Sequence, residues 1–160
     1  MPDPSGPPAS PGPSGPSGPS APSPQVRLVS WDTHQRDLLH VRRIVFIDEQ
    51  AVPEDEEIDG RDPDCAHALV TVDGAPVATG RLLPDGHIGR MAVLATQRGH
   101  GLGGLVLEAL CAEARRRGHP LVVLAAQTHA IPFYGKHGFR VYGDVFDDAG
   151  IPHRWMDRAP

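Results

Sequence analysis

Residues 91–104, MAVLATQRGHGLGG, constrain the fold more than any other stretch of this chain. A short apolar strand, Met91 to Leu94, runs into a basic, glycine-rich turn and then into the first residues of a helix. Glycines at 99, 101, 103 and 104 leave the N–H groups of the turn unshielded by any Cβ. The first N–H groups of the helix that follows lack an intrahelical acceptor, and its dipole is positive at this end. Strand, turn and helix start together form an anion site of the kind that takes a phosphate or pyrophosphate.

Three glycine-loop chemistries fit such a site in outline. A P-loop needs Lys and then Ser or Thr after its last glycine, whereas Gly104 is followed by Leu105 and Val106. Gly99-x-Gly101-x-x-Gly104 satisfies the dinucleotide pattern, but that pattern belongs to an early strand–turn–helix with an acidic residue about 20 positions on. Here the next strand, Leu121 to Ala126, is apolar throughout. The third pattern is Arg98-x-x-Gly101-x-Gly103 directly after an apolar strand, and the rest of the chain decides whether it applies.

The length of 160 residues implies one domain with a real core. A net charge of −5 and the lack of a basic stripe argue against nucleic acid as a partner. The one basic run, Arg115 to Arg117, reads as a solvated helix end where cations favour the dipole. Two cysteines, at 65 and 111, make no disulfide framework. With no membrane-length apolar run and no signal peptide in view, a cytoplasmic chain without a membrane partner is expected. Ten of the eighteen prolines fall within residues 1–24, which carry almost nothing apolar to offset the entropy of ordering. Residues 1–24 are therefore expected to be a disordered tail, and 25–160 the folded domain.

Gln25 to Trp31 alternates as a strand does. Asp32 is the expected cap of a helix, with Gln35 as its capping-box partner. Leu38, Val41 and Val45 share one face of this helix, and Arg36, Arg42 and Arg43 are expected outside it. Residues 53–60, PEDEEIDG, read as an acidic loop. Ala66 to Val72 and Ala75 to Leu83 form a hairpin about Asp73-Gly74, and Pro84-Asp85-Gly86 turns into a third strand, Ile88 to Leu94. The helix after the glycine turn ends at Gly118. A buried strand, Leu121 to Ala126, precedes a short helix, Ala130 to His137, with Pro132 in its first turn. Phe139 to Phe146 and His153 to Met156 close the chain as strands. This order predicts an α/β fold: a mixed, mostly antiparallel sheet with helices on both faces.

Residues 127–139, QTHAIPFYGKHGF, hold the second informative pattern: Gln127 ends a strand, Ala130 follows, then Tyr134, then Gly138-Phe139. Together with the Arg98–Gly103 turn, this resembles the GCN5-related N-acetyltransferases (GNAT). A narrower resemblance, to the ElaA-like (YjcF-like) subgroup, rests on Val45-Phe46-x-x-Glu49-Gln50-x-Val52-Pro53, on Glu57, Asp59, Asp62 and His67, and on Gly150-Ile151-Pro152-His153. The resemblance implies the acyl-CoA N-acyltransferase fold, acetyl-CoA as co-substrate, and direct acetyl transfer to a primary amine of a small molecule or protein. It implies that Arg98, Gly99, His100, Gly101, Leu102 and Gly103 bind the pyrophosphate. It further implies that Met91, Ala92 and Val93 bind the pantetheine arm and thioester through backbone groups, and that Gln127, Ala130, Phe133 and Tyr134 complete the cofactor site.

Acyl transfer releases a thiolate, which needs a proton as it leaves. A phenol with an ordinary pKa near 10 is protonated at neutral pH, so Tyr134 is the candidate general acid. Glu49, His67 and His153 are the candidate bases, beside a relay water or an amine that binds already neutral. The acidic run from Glu54 with Asp59, Asp62 and Asp64 reads either as a solvated loop or as a means of steering a cationic amine. No metal site is expected from the His and Cys spacings. The rival reading is a non-catalytic acyl-CoA sensor on the same fold. Monomer and homodimer are equally compatible with the sequence.

Overall fold

The computed structural model describes residues 23–160, so the tail expected over 1–24 lies, apart from its last two residues, outside the described residues. Pro24 opens the first strand rather than closing a tail. The elements run β1 (Pro24–Val29), α1 (Trp31–Arg42), a π-helical segment (Arg43–Glu49), α2 (Glu54–Glu57), β2 (Ala66–Val72), β3 (Ala75–Leu82) and β4 (His87–Val93). They continue as α3 (Leu102–Arg116), β5 (Val122–Gln127), α4 (Ile131–Lys136), β6 (Arg140–Asp148) and β7 (Ile151–Arg158). Seven strands form one sheet in the order β1-β2-β3-β4-β5-β7-β6. Only β4 and β5 pair in parallel. No helix among the described residues is long and apolar enough to cross a membrane.

Local signals place most boundaries. Asp73 and Gly74 both take positive φ, as a tight right-twisted hairpin requires, and Gly118 takes φ 82° just past α3. The cap of α1 differs from expectation. Ser30, not Asp32, accepts the N–H of Thr33, and Asp32 sits in the first turn, where a negative charge meets the helix dipole.

The two faces of the sheet hold different interiors. One is apolar: Val106, Leu107, Leu110 and Cys111 of α3 pack on Ala68, Val70, Ala78 and Leu82 of β2 and β3. A Cβ at Gly80 would come within 2.7 Å of both Val106 and Met91, so glycine there lets α3 lie close on the strand. The other face, under α1, holds a buried ionic network. Arg42 was expected outside α1 but is 1% exposed. Its Nε donates to Glu57 at 2.6 Å and its Nη1 to Asp62 at 2.7 Å. Arg81 donates to Asp62 at 2.9 Å and to Asp59 at 2.6 Å. Arg90 completes the set on Glu57 at 3.1 Å and Asp59 at 3.3 Å.

The acidic segment is therefore only partly a solvated loop: Glu54, Asp55, Glu56 and Asp64 are exposed, whereas Glu57, Asp59 and Asp62 pair with arginines. Three of its carboxylates neutralise three arginines in the interior. Burial opposes ionisation of Asp59 and Asp62, but hydrogen bonds from Arg81 to the first and Arg42 to the second outweigh it and hold both carboxyls below the ordinary range. Stability drawn from Asp62 is then fully present above the unfolded value of about 3.9 and is lost as pH falls through the lower folded value. Asp62→Asn removes one charge from a buried set and should cost about 3–5 kcal/mol at neutral pH. It should also flatten the loss of stability below about pH 4, where unfolded Asp gains its proton. Urea unfolding of both proteins across pH 3–7 measures the two effects together.

Candidate active site

The site arises where two neighbouring strands part. β4 pairs with β5 only through His87–Val123 and Ile88–Leu124. Just beyond, Arg90 takes φ 52°, and between Arg81–Gly89 and Thr79–Ala92 β4 advances one residue more than β3. Such a bulge bends a strand and sharpens its twist. Arg90 is held there by its bonds to the carbonyls of Glu56 at 3.2 Å and Glu57 at 3.0 Å. From Gly89 onward, the edge of β4 that faces β5 has no strand partner among the described residues. Backbone N–H and C=O groups without a ladder partner are ready to bind an extended ligand.

A cavity of about 950 Å³ opens in this gap. Met91, Ala92 and Val93 line one wall, and Gln127, Ala130, Phe133 and Tyr134 another. Arg98, Gly99, Gly101, Leu102 and Gly103 close one end. Gly99 and Gly101 take φ of 84° and 79°, which turns the chain tightly into α3. Gly103 has a different role: a Cβ there would stand 3.2 Å from the Phe133 ring, so its absence lets α4 approach α3. Of the expected cofactor residues, His100 alone lies outside the lining. Its ring donates from Nδ1 to the Gln97 carbonyl at 3.2 Å and faces solvent.

Tyr134 stands on α4 with its ring edge-on to Phe133 and Phe139 at 5.0 and 6.0 Å. Burial pushes its phenol well above the ordinary value, because the phenolate would lose its hydration. It is therefore neutral throughout the physiological range.

The three candidate bases have separate fates. His67 is 1% exposed, donates from Nε2 to the Asp62 carbonyl at 3.0 Å, and lies outside the cavity lining. A carbonyl only accepts, so this Nε2 carries the hydrogen. Burial also keeps the ring neutral, with its pKa below the ordinary value. Glu49 lines the cavity, but both carboxylate oxygens accept from Arg98, at 2.7 and 2.8 Å. Those hydrogen bonds lower its pKa and make it a weaker base. His153 lines the cavity opposite Gln127 in the β5–β7 ladder. Its Nδ1 donates to the Ile151 carbonyl at 2.7 Å, which leaves Nε2 as the basic nitrogen of the neutral ring.

The structure adds partners that periodicity does not reveal. Gln127 donates to Gln50 at 3.0 Å and accepts from His129 at 2.7 Å, and both partners line the cavity. Gln50 was visible only as a letter of the Glu49-Gln50 motif, and His129 carried no signal. Lys136, Asp148 and Ile151 also reach the lining. Cys65 and Cys111 do not, and burial raises both thiols, that of Cys111 up to about 11, so neither offers a thiolate at neutral pH.

Comparison with known proteins identifies the family. The profile of the family described as "Acetyltransferase (GNAT) domain" matches residues 41–159. The uncharacterized N-acetyltransferase YjcF of Bacillus subtilis is 42% identical over 125 residues, 76% of this chain and 89% of that protein. An acyl-CoA N-acyltransferase from Pseudomonas aeruginosa superposes with a TM-score of 0.72 at 31% identity, covering 87% of this chain and all of the other. Escherichia coli ElaA superposes with a TM-score of 0.76 at 28% identity, covering 84% of this chain and 99% of its own. The chain belongs to the GNAT acetyltransferase family and is an acyltransferase with the acyl-CoA N-acyltransferase fold.

Proposed function

We propose that this acyltransferase moves an acetyl group from acetyl-CoA directly to a primary amine. The observation that carries the reading is one cavity that joins a glycine turn at a helix start, the unpartnered edge of β4 and a buried phenol. A diphosphate fits the turn, where Gly99 and Gly101 expose backbone N–H groups and the α3 dipole favours negative charge. The amide-bearing pantetheine arm fits the edge of β4, which offers it the groups another strand would. Gln127 faces the same arm from β5.

The chemistry follows from this placement. The acceptor nitrogen attacks the thioester carbon, and backbone N–H groups of Met91 to Val93 stabilise charge gathering on the carbonyl oxygen. The carbon–sulfur bond breaks, and Tyr134 gives its proton to the departing sulfur. His153 Nε2 takes the proton that the amine sheds; of the three sequence candidates, it alone combines a place in the lining with an uncommitted basic atom. The product is an N-acetyl amine and free CoA.

Ligand binding tests the donor. Acetyl-CoA and CoA should each raise the melting temperature, by about 2.7 kcal/mol of added stability at a hundred times Kd, whereas ATP or NAD alone doing so would refute the assignment. CoA release across a panel of amines then tests the acid. Tyr134→Phe should lower kcat at least about tenfold, because general acid–base groups typically contribute about 10²–10⁴-fold, and leave KM for acetyl-CoA nearly unchanged. Turnover equal to wild type would remove Tyr134 from the mechanism.

The base has its own signature. His153→Gln should lower kcat/KM for the amine at least about tenfold at neutral pH. The deficit should shrink as pH rises, because an amine that arrives neutral needs no base. A deficit constant with pH would assign His153 to structure instead.

A further inference from the structure

Residues from 43–52 border the cavity through Val45, Phe46, Glu49, Gln50 and Val52. α1 passes into a π-helical segment, a geometry that recurs at functional sites. The segment closes with Ala51 N–H on the Ile47 carbonyl at 3.1 Å and Val52 N–H on the Phe46 carbonyl at 2.9 Å. Ala51 takes φ 60°, a left-handed conformation that alanine rarely adopts. Strain of this kind persists only where the surroundings enforce it.

The strained turn sends two consecutive side chains to opposite walls. Glu49 accepts from both terminal nitrogens of Arg98, at 2.7 and 2.8 Å, on the glycine-turn side. Gln50 accepts from Gln127 at 3.0 Å, at the end of β5. Between those walls β4 and β5 have no ladder beyond Ile88–Leu124. One short segment therefore bridges the two sides of the gap beyond the point where strand pairing stops.

From this geometry we infer that residues 43–52 are a strap replacing the missing ladder, with Glu49 and Gln50 as positioning residues for the donor. The inference rests on the acyl-CoA reading of the cavity and extends it. It also reassigns the side chain of Arg98. Arg98 Nε donates to the Val93 carbonyl at 2.9 Å, and its other two nitrogens face Glu49. A guanidinium engaged on all three nitrogens and neutralised by a carboxylate is a poor counter-ion for a second anion. Arg98 instead ties the turn to β4 on one side and to the strap on the other. Diphosphate recognition is left to the backbone of the turn.

Steady-state kinetics with two donors test the strap. Acetyl-CoA carries the diphosphate, and acetyl-pantetheine lacks it. Glu49→Gln and Arg98→Lys are conservative changes at exposed positions, and their melting temperatures without ligand check the fold. Each should raise KM for acetyl-CoA about five- to tenfold with kcat within twofold of wild type, and leave KM for acetyl-pantetheine unchanged. The double variant should be no worse than the worse single one, as expected for two ends of one tether. Gln50→Ala should raise KM for both donors, because Gln127 faces the part they share.

Arg98→Lys keeps its charge, so a wild-type KM in that variant, or a lower KM in Glu49→Gln, would show Arg98 to be a counter-ion and overturn the strap. Additive losses in the double variant would do the same. A wild-type enzyme with no saturable dependence on acetyl-CoA would overturn the parent reading and the strap together, and that result precedes any variant.

Discussion

The structure depends on a balance of three arginines and three carboxylates under α1. Charges in an interior are tolerated only when paired and hydrogen-bonded, and Arg42, Arg81 and Arg90 each meet that condition through Glu57, Asp59 or Asp62. The set joins α1, β3, β4 and the segment around α2, beside a small apolar cluster of Val41, Val45 and Ala92. Its effect on β4 matters most. Arg90 sits at a bulge with positive φ, a conformation unfavourable for any residue but glycine, and its guanidinium is held by Glu57 and Asp59. Anchoring that side chain keeps the strand bent. The bend parts β4 from β5, and the parting is the site.

The opposite face contributes by close packing. Gly80 lets α3 settle against β3, and Gly103 and Gly104 let α4 settle against α3, where Cβ atoms would press on Phe133 and His137. These contacts fix where the α3 N-terminus and Tyr134 stand relative to β4. The glycines of one short stretch thus serve two ends. Those at 99 and 101 shape a turn, and those at 103 and 104 hold two helices together. An apolar layer and an ionic layer, one on each side of the sheet, set the two walls of a single cavity.

Much of this was legible because it is local. Asp73-Gly74, Gly118, the apolar run of β5 and the glycine turn each announce their geometry within a few residues. What was not legible depends on contacts distant in sequence. Leu38, Val41, Arg42 and Val45 follow the i, i+3, i+4, i+7 spacing of one helix face, so the periodicity includes Arg42. Its charge argued for the outside, and only partners 15 and 20 residues on make its burial possible. The same partners turn an acidic run that reads as solvated into part of the interior. His67 and His153 were indistinguishable as candidates, since nothing near either shows that one faces an ionic core and the other a cavity. Asp32 and Ser30 are both good caps, and the strand's early end at Val29 selects Ser30.

The two ends of the cavity are built from different materials. At the glycine-turn end the lining offers backbone groups and positions without side chains, such as Gly99, Gly101 and Gly103, which the sequence shows directly. At the other end the lining comes from side chains on α2 and the β6–β7 tip, including Glu56, Asp148, Ile151 and His153. Of the acidic run, Glu57, Asp59 and Asp62 are already neutralised by arginines, so they supply little field to draw in a cationic amine. Of the lining carboxylates, Glu56 and Asp148 are left without an arginine partner, and they are exposed and screened by salt. Under the proposed function, acceptor choice would then rest on shape and short-range contact at the β6–β7 tip rather than on a field from the acidic segment.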